Sequence, residues 1–469
     1  MRDISGDGPA YGFYGDDFTG ATDTLAHLAR AGLRTMLLFA PPDAARLSLL
    51  GRLDAVGIAG AARTMPPQVQ QQELARVGAA FAALGVSVMH YKVCSTFDSA
   101  PQTGSIGVAI RTLREYCANP LVAVVGGQPN LRRYCVFGEL FAAAGADDHR
   151  QSIYRIDRHP TMSRHPVTPM NEADLRIHLQ RQGLENVQSI DWRCYADDDT
   201  MLQTELDSRL ESKPDAVLFD VLDDSHLRAI GRVISRHANS QAPLLAVGAS
   251  SVAQAYASAL NEAGERGEVN VAPVSLARAR GPVFVLAGSL SPLTEVQIAA
   301  AQSYLRVELD PLKMTGEGAA DYLAARVAAI VGPLRDGRNV LAFTTRRAVH
   351  AADATDVTDA AKAEGEARRA LPQLAHTCAS LLREVLGKVR LQRIGIAGGD
   401  TSSFAIRALD AWGLSYFAPL SAGVTVCRLH ADSSELDGME IMLKGGQMGD
   451  ANLFEELLNG HARDEADKH

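Results

Sequence analysis

The chain has few cysteines, no concentration of positive charge and no long apolar run, and each shortage removes a class of protein. Its six cysteines, Cys94, Cys117, Cys135, Cys194, Cys378 and Cys427, form no Cys-x-x-Cys pair anywhere in 469 residues. They read as reduced, mostly buried residues, and no structural zinc site is indicated. With 46 Lys plus Arg against 55 Asp plus Glu, the formal charge is −9, and no extended basic run appears. Nucleic acid is therefore not an expected partner. The longest apolar stretches, such as Val283-Phe284-Val285-Leu286-Ala287, have the length of a strand, and Met1 to Ala10 is polar rather than signal-like. A cytoplasmic protein without a membrane partner is expected. No Gly-x-x-x-x-Gly-Lys-Ser/Thr occurs either, so no P-loop lysine can be invoked.

What is there is a regular alternation of strand-like runs and amphipathic helices. The length is too great for one typical core and predicts two domains. Tyr11-Gly12-Phe13-Tyr14 gives way to the polar turn Gly15-Asp16-Asp17-Phe18-Thr19-Gly20, then to Ala21–Ala31 with Leu25, Leu28 and Ala29 at helical spacing, then to strand-like Thr35–Phe39. The pattern recurs at Ala55–Ala59, Val86–Val93, Leu121–Val125 and Asp215–Phe219, which predicts an open, largely parallel sheet with helices on both faces. An irregular stretch, Asn270 to Pro282, follows the Ala-rich segment Ser250–Gly267 and marks a boundary. A second alternation follows: Val283–Ala287, a helix from Pro292, Val340–Thr344, a helix from Pro372 to Gly387, a strand before Gly398 and a closing Gly-rich segment. The expected fold is α/β with two domains, 11–268 and 282–459, each a largely parallel sheet flanked by helices, and a frayed tail over 460–469.

Six segments carry candidate chemistry. Ile394-Gly395-Ile396-Ala397-Gly398-Gly399-Asp400-Thr401-Ser402 reads as a buried strand, two glycines and a helix N-terminus, a place where free N–H groups favour a phosphate. An ordinary tight connection capped by Asp400 or Thr401 has the same appearance. Asp16 and Asp17 sit where a strand gives way to a helix, where open α/β sheets place ligands. One could accept a proton from a substrate hydroxyl, or one could merely cap the helix. Tyr91-Lys92-Val93-Cys94-Ser95-Thr96-Phe97-Asp98 delivers a cation and several hydroxyl partners at a strand end, suited to a small polar ligand, though a Ser/Thr turn with a surface lysine reads the same way. The proline-rich segment His159 to Met170 is a fixed loop in which Arg164 and His165 are candidate anion donors; its two histidines match no standard metal-ligand spacing. Finally, Gly288-Ser289-Leu290-Ser291-Pro292 ends a strand with Ser291 as N-cap and Pro292 at the first helical position, and Lys444-Gly445-Gly446 adds a third Gly-rich loop.

Taken in order, Asp-Asp-Phe-Thr-Gly-Ala-Thr-Asp, Tyr-Lys-Val-Cys-Ser-Thr-Phe-Asp-Ser, Arg-His-Pro-Val-Thr-Pro-Met, Gly-Ser-Leu-Ser, Gly-Gly-Asp-Thr-Ser and Leu-Lys-Gly-Gly-Gln-Met-Gly-Asp resemble the four-carbon acid sugar kinase family over residues 11 to 455. The resemblance implies ATP-dependent phosphorylation of a sugar acid such as threonate, erythronate or 3-oxo-tetronate, in a cleft between an N-terminal substrate domain and a C-terminal nucleotide domain. Carried over by position, it implies the sugar acid near Asp16, Asp17, Lys92, Ser95, Thr96, Asp98, Arg164 and His165. It implies ATP at Ser289, Ser291, Gly398, Gly399, Asp400, Thr401 and Gly446. Cys-Ser-Thr-Phe-Asp-Ser is closer to the 3-oxo-tetronate kinases than to the threonate or erythronate kinases, which tend to read Asp-Ser-Thr-Leu-Arg-Gly. Leu131 to Gly138 does not follow the 3-oxo-tetronate pattern. Leu290, Ser421-Ala422-Gly423-Val424 and Gly445-Gly446-Gln447-Met448-Gly449 depart from the family's common wording while keeping its glycines.

The implied mechanism has Asp17 or Asp16 accept the proton of the substrate's terminal hydroxyl, glycine turns hold the phosphates, and Mg²⁺ offset their charge, with no metal ligand assigned among the residues. Cleft closure would exclude water. An ATP-dependent ligase or other ATPase, or a sugar-acid-binding protein without catalysis, remains as an alternative. A homodimer is plausible on base rates.

Overall fold

The computed structural model describes residues 8–144, 152–165, 167–195, 199–262, 275–289, 291–344 and 373–460. The chain divides into two compact units, Met1–Val271 and Ala272–His469. Leu290, Pro166 and the expected tail over 461–469 lie outside the described residues.

In the first unit, β1 (Tyr11–Gly15), β2 (Thr35–Leu38), β3 (Ala55–Ala59), β4 (Val88–Lys92) and β5 (Val122–Val125) are followed by a ribbon of β6 (Arg133–Val136), β7 (Glu139–Ala144) and β8 (Ser152–Arg155). The chain then returns to the main sheet with β9 (Val187–Ile190), β10 (Ala216–Phe219) and β11 (Leu244–Gly248). The main sheet is wholly parallel in the order β2-β3-β1-β4-β11-β5-β10-β9. Its central strands are buried along their whole length, which is why they read as continuous apolar runs rather than as an alternation. From β1 the chain goes to the outer strand β2, returns through β3 beside β1, then crosses to β4 on the other side. Such a reversal, here between β1 and β4, is where open α/β sheets place their ligands, at the carboxyl ends of the strands.

The antiparallel ribbon β6-β7-β8 is an addition to the largely parallel sheet expected of the first half. Its first turn uses Phe137 at φ 52° and Gly138 at φ 86°, two left-handed residues in succession, as a tight hairpin requires. The Asp220 carboxylate accepts hydrogen bonds from both turn N–H groups, at 2.6 and 2.9 Å, and so holds a bulky residue in a conformation it would otherwise avoid.

The second unit begins with β12 (Val283–Ala287), β13 (Leu305–Leu309), β14 (Val340–Thr344) and β15 (Arg393–Ala397) and ends with β16 (Gly413–Ser421), β17 (Val424–His430) and β18 (Glu440–Lys444). Strands run parallel in the order β13-β14-β12-β15-β18, and β17 and β16 continue the sheet antiparallel. Again the chain goes to the outer strand, returns beside the first and crosses to the other side, with the switch between β12 and β15. A core of Val283, Val285, Ala287, Leu341, Val426, Met442, Phe454 and Leu457 packs under the sheet. Residues 373–386 form the expected helix before β15. Among the described residues no helix is long and apolar enough to cross a membrane.

Candidate functional site

At the β1/β4 switch, Asp16 and Asp17 follow β1 directly. Asp17 is the N-cap of the helix Phe18–Arg30: its Oδ1 accepts the Gly20 N–H at 2.6 Å. Capping thus accounts for one carboxylate oxygen and leaves the second carboxylate, Asp16, unexplained. That residue is almost wholly buried and is gripped by Arg63, whose Nη2 and Nε donate to Asp16 Oδ1 and Oδ2 at 2.7 and 3.1 Å. The same guanidinium reaches Asp17 Oδ2 through Nη1 at 2.5 Å. Arg63 lies in a short 3-10 turn, Ala62–Thr64, just beyond β3, so the pairing of β3 with β1 delivers it. Sequence reasoning missed Arg63; a single arginine in Gly60-Ala61-Ala62-Arg63-Thr64 has no local signal.

The two carboxyls are driven in opposite directions. Burial pushes Asp16 upward, and Arg63 only partly offsets it. Asp17 also pays for burial, but Arg63, Lys92 and the Gly20 N–H together hold it below the usual carboxylate range. Lys92 ends β4 and its ammonium lies over Gly20 so closely that a Cβ there would sit 2.0 Å from Nζ and 2.6 Å from Asp17 Oδ1. A side chain at position 20 would have to displace the Lys92 ammonium and the Asp17 carboxylate.

Beyond Lys92 the chain makes a tight turn in which Phe97, fully buried, has φ 54° and its N–H donates to the Cys94 carbonyl. A bulky residue in the left-handed region stores strain, the kind found near functional sites. The turn aims Thr96 Oγ1 at Asp98 Oδ1, 2.5 Å, while Ser95 stays half-buried. Thr168 links this turn to the proline-rich loop: its hydroxyl lies 3.5 Å from Asp98 Oδ2 and 3.1 Å from His165 Nδ1. His165 is thereby brought to the cluster, whereas Arg164 is exposed.

In the second unit the three Gly-rich turns meet at the ends of β12, β15 and β18. The Gly288 N–H donates to the Ala397 carbonyl and the Gly398 N–H to that of Lys444, each 2.9 Å. Gly398 has φ 123°, open only to glycine, and the helix Gly399–Ala408 starts beside it. Thr401 packs so closely on Gly288 that a Cβ there would lie 2.2 Å from its hydroxyl, while a Cβ on Gly399 would meet nothing. Asp400 is exposed in the helix's first turn. Ser291 is the expected N-cap of the helix Pro292–Ala300, and its hydroxyl also donates to the Gly446 carbonyl. Ser289 Oγ accepts the Ser291 N–H at 3.2 Å and stands 2.9 Å from where a Gly446 Cβ would be.

Lys444, Thr294 and Gln297, none of them anticipated as site residues, tie these turns together. Lys444 is buried with its ammonium on the Thr294 hydroxyl, 3.0 Å, and on the Gln297 side-chain carbonyl, and burial without a countercharge pulls its pKa down to about 7. The Gln297 amide donates in turn to the carbonyls of Met448 and Asp450 at 3.1 and 2.9 Å. The last loop is thus pinned to the first.

Each of the two α/β units thus carries ligand-type turns at its topological switch. Residues 11–256 match the sugar-binding N-terminal domain family and residues 284–454 the nucleotide-binding C-terminal domain family. The chain is 37% identical over 464 residues to a 3-oxo-isoapionate kinase of Paraburkholderia graminis, covering 96% of this chain and 94% of that one. To a 3-oxo-tetronate kinase of Methylobacterium radiotolerans it is 31% identical over 456 residues, covering 96% and 99%. Solved structures from Salmonella typhimurium LT2 and Haemophilus influenzae share its fold, with TM-scores of 0.69 and 0.65 at 22% identity, each over 95% of this chain and over 97% and 98% of theirs. The protein therefore belongs to the four-carbon acid sugar kinase family and is a kinase.

Proposed function

We propose that the protein is an ATP-dependent kinase that phosphorylates the terminal hydroxyl of a sugar acid of the 3-oxo-tetronate or 3-oxo-isoapionate type. The observation that carries this reading is the Asp16–Asp17–Arg63–Lys92 cluster at the β1/β4 switch, in a chain whose relatives act on such acids. Asp17 is the base. Its side chain is 15% exposed against 5% for Asp16, and its ionised form is favoured, so it can receive the hydroxyl proton as the oxygen bonds to the γ-phosphorus and the bond to the leaving oxygen breaks. Because such transfers are largely dissociative, the proton leaves late and a weakly basic carboxylate suffices. Asp16 holds Arg63 in place, and Arg63 fixes the Asp17 rotamer. Lys92, Ser95, Thr96, Asp98, Arg164 and His165 bind the sugar acid.

ATP is bound by the second unit: the open backbone at Gly398 and Gly399, the N-terminus of the helix behind them, Asp400, Thr401, Ser289, Ser291 and Gly446 form its cradle. Among the described residues no group of three or more His, Cys, Asp or Glu is arranged to hold a metal. That fits Mg²⁺, which is held by one or two carboxylates together with phosphates and water rather than by a protein cage. Asp400 is the carboxylate that would hold it. When bound, the ion offsets phosphate charge.

The test is ADP release by the purified protein with Mg-ATP across D- and L-threonate, D- and L-erythronate, 3-oxo-tetronate and 3-oxo-isoapionate. Turnover on a 3-oxo acid is expected. ADP release indifferent to every acid would point instead to another ATPase.

A further inference from the structure

The segment Leu131 to Gly138 has no part in the mechanism above, yet it places an unusual arginine. Arg133 opens β6, and its backbone is paired with Gln128 in both directions, at 3.2 and 2.9 Å. Gln128 stands just past the end of β5, and its amide donates to Asp23 Oδ2 at 3.1 Å, on the helix that begins at Asp17. Arg133 is therefore held over the same carboxyl edge of the sheet as Asp16 and Lys92.

Its charge is not spent on the protein. Arg63 is paired with Asp16 and Asp17, Arg155 with Asp157, Arg176 with Asp174, Arg232 with Asp199 and Arg393 with Glu440. Arg133 pairs with no carboxylate among the described residues. Its Nη1 donates to the Leu131 carbonyl, and its Nε is shut off from solvent with no acceptor among the described residues. A guanidinium in that state is costly to keep, and burial depresses its pKa. The residue as a whole is only half-buried, so a ligand can reach it. Its field is felt at the Cys94 thiol, which also lies in the fields of Asp98, Arg63 and Lys92. The unpaired cation thus sits at the sheet edge that carries the proposed sugar-acid site.

We propose that Arg133 is the carboxylate-docking residue of the sugar-acid site and sets its specificity for acids over neutral sugars. This rests on the sugar-acid kinase reading. A planar guanidinium meets a carboxylate in two parallel hydrogen bonds, and the substrate's acid group supplies the acceptors that the chain withholds. The reacting end of the substrate is then left to Asp17 and Lys92.

The test compares wild type, Arg133→Gln and Arg133→Lys in the full chain, using the acid that wild type phosphorylates and the primary amide of that acid. Arg133→Gln should raise the KM for the acid about 10- to 100-fold, the cost of a lost charged hydrogen bond, with the KM for ATP unmoved. Discrimination between acid and amide should collapse, and Arg133→Lys should recover part of it. Equal effects on acid and amide, or no effect, would overturn the proposal. A second measurement does not depend on turnover: thermal shifts with L-threonate, D-erythronate and 3-oxo-tetronate in the absence of ATP. Stabilisation of wild type that is lost in Arg133→Gln supports the docking role even if no acid is phosphorylated, an outcome that would sink the kinase reading alone. Stabilisation that persists in Arg133→Gln, or is absent from wild type, overturns the docking role. Arg133→Gln should also melt no lower than wild type without ligand, since an unpaired buried charge has been removed, whereas a structural arginine would leave a less stable protein.

Discussion

The two units open with the same arrangement of four strands, β2-β3-β1-β4 in the first and β13-β14-β12-β15 in the second, and each places its candidate site where the chain changes sides. The chemistry at the two switches is opposite. The first is dense in charge: Asp16, Asp17, Arg63, Lys92 and Asp98 crowd the ends of β1, β3 and β4. The second is made mainly of glycine backbone and hydroxyls with one exposed carboxylate, Asp400, and the buried cation Lys444 rests on two neutral acceptors. On the proposed assignment, one scaffold would support two kinds of recognition. A ligand that brings several charges and a metal needs room and N–H groups, whereas a small polyhydroxy acid needs fixed charges to orient and activate it.

Breaking the charged side should have the largest effect. Asp17→Asn is expected to lower kcat by about 10²- to 10⁴-fold, with Asp16→Asn reducing it less by loosening Arg63. Near wild-type turnover in both would remove the base from this turn. Arg63→Met leaves two buried carboxylates without their partner and should destabilise the protein by about 3–5 kcal/mol, measured by urea unfolding near pH 7. The sign with pH follows from Asp17. Its folded pKa lies below its unfolded one, so the stability it contributes through Arg63 is present above the usual carboxylate range and is lost as pH falls through the folded value. The deficit of Arg63→Met relative to wild type should therefore shrink in acid; a deficit independent of pH would mean that Arg63 acts by packing alone.

Lys444 offers the converse on the neutral side. Its pKa falls from 10.5 to about 7 on folding, so the folded state sheds a proton and wild-type stability gained from this group rises with pH between those values. Lys444→Met should lack that rise, so the unfolding midpoint of wild type minus variant climbs from pH 7 to pH 10. A flat difference would show that the ammonium is charged and satisfied in the folded protein. The smallest effect belongs to Arg164, which is exposed: Arg164→Ala should raise the KM for the sugar acid a few-fold and leave that for ATP alone. A larger effect on ATP would remove it from the sugar-acid site.

The contrast between the units also governs what could be read from the chain. The α/β class and the parallel strands were legible because buried parallel strands are short apolar runs, and the Gly-rich turns because they interrupt them. Ser291 as N-cap before Pro292 was legible for the same local reason. The ribbon β6-β7-β8 was not: its turn places Phe137 in a left-handed conformation that Asp220, 83 residues away in sequence, stabilises. The antiparallel pair β16-β17 lay hidden within what read only as a closing Gly-rich segment. Arg63 was invisible as a partner of the Asp16–Asp17 turn because the two meet only when β3 pairs with β1, 47 residues apart in sequence. Lys444 stood in view inside a Gly-rich motif, but its partners Thr294 and Gln297 look like ordinary helix positions until the fold brings them over it.

The most direct test of a charged sugar-acid unit and a neutral nucleotide unit is a pair of KM measurements on two variants, Lys92→Met and Gly398→Ala. Gly398→Ala forces a Cβ into a position with φ 123° and 3.2 Å from the Ser289 nitrogen. It should raise the KM for ATP about 10-fold or more while leaving that for the sugar acid within about 2-fold, the signature of lost binding at one ligand only. Lys92→Met should do the reverse. Variants that raise both constants together, or in the opposite sense, would contradict the division of labour between the two switches.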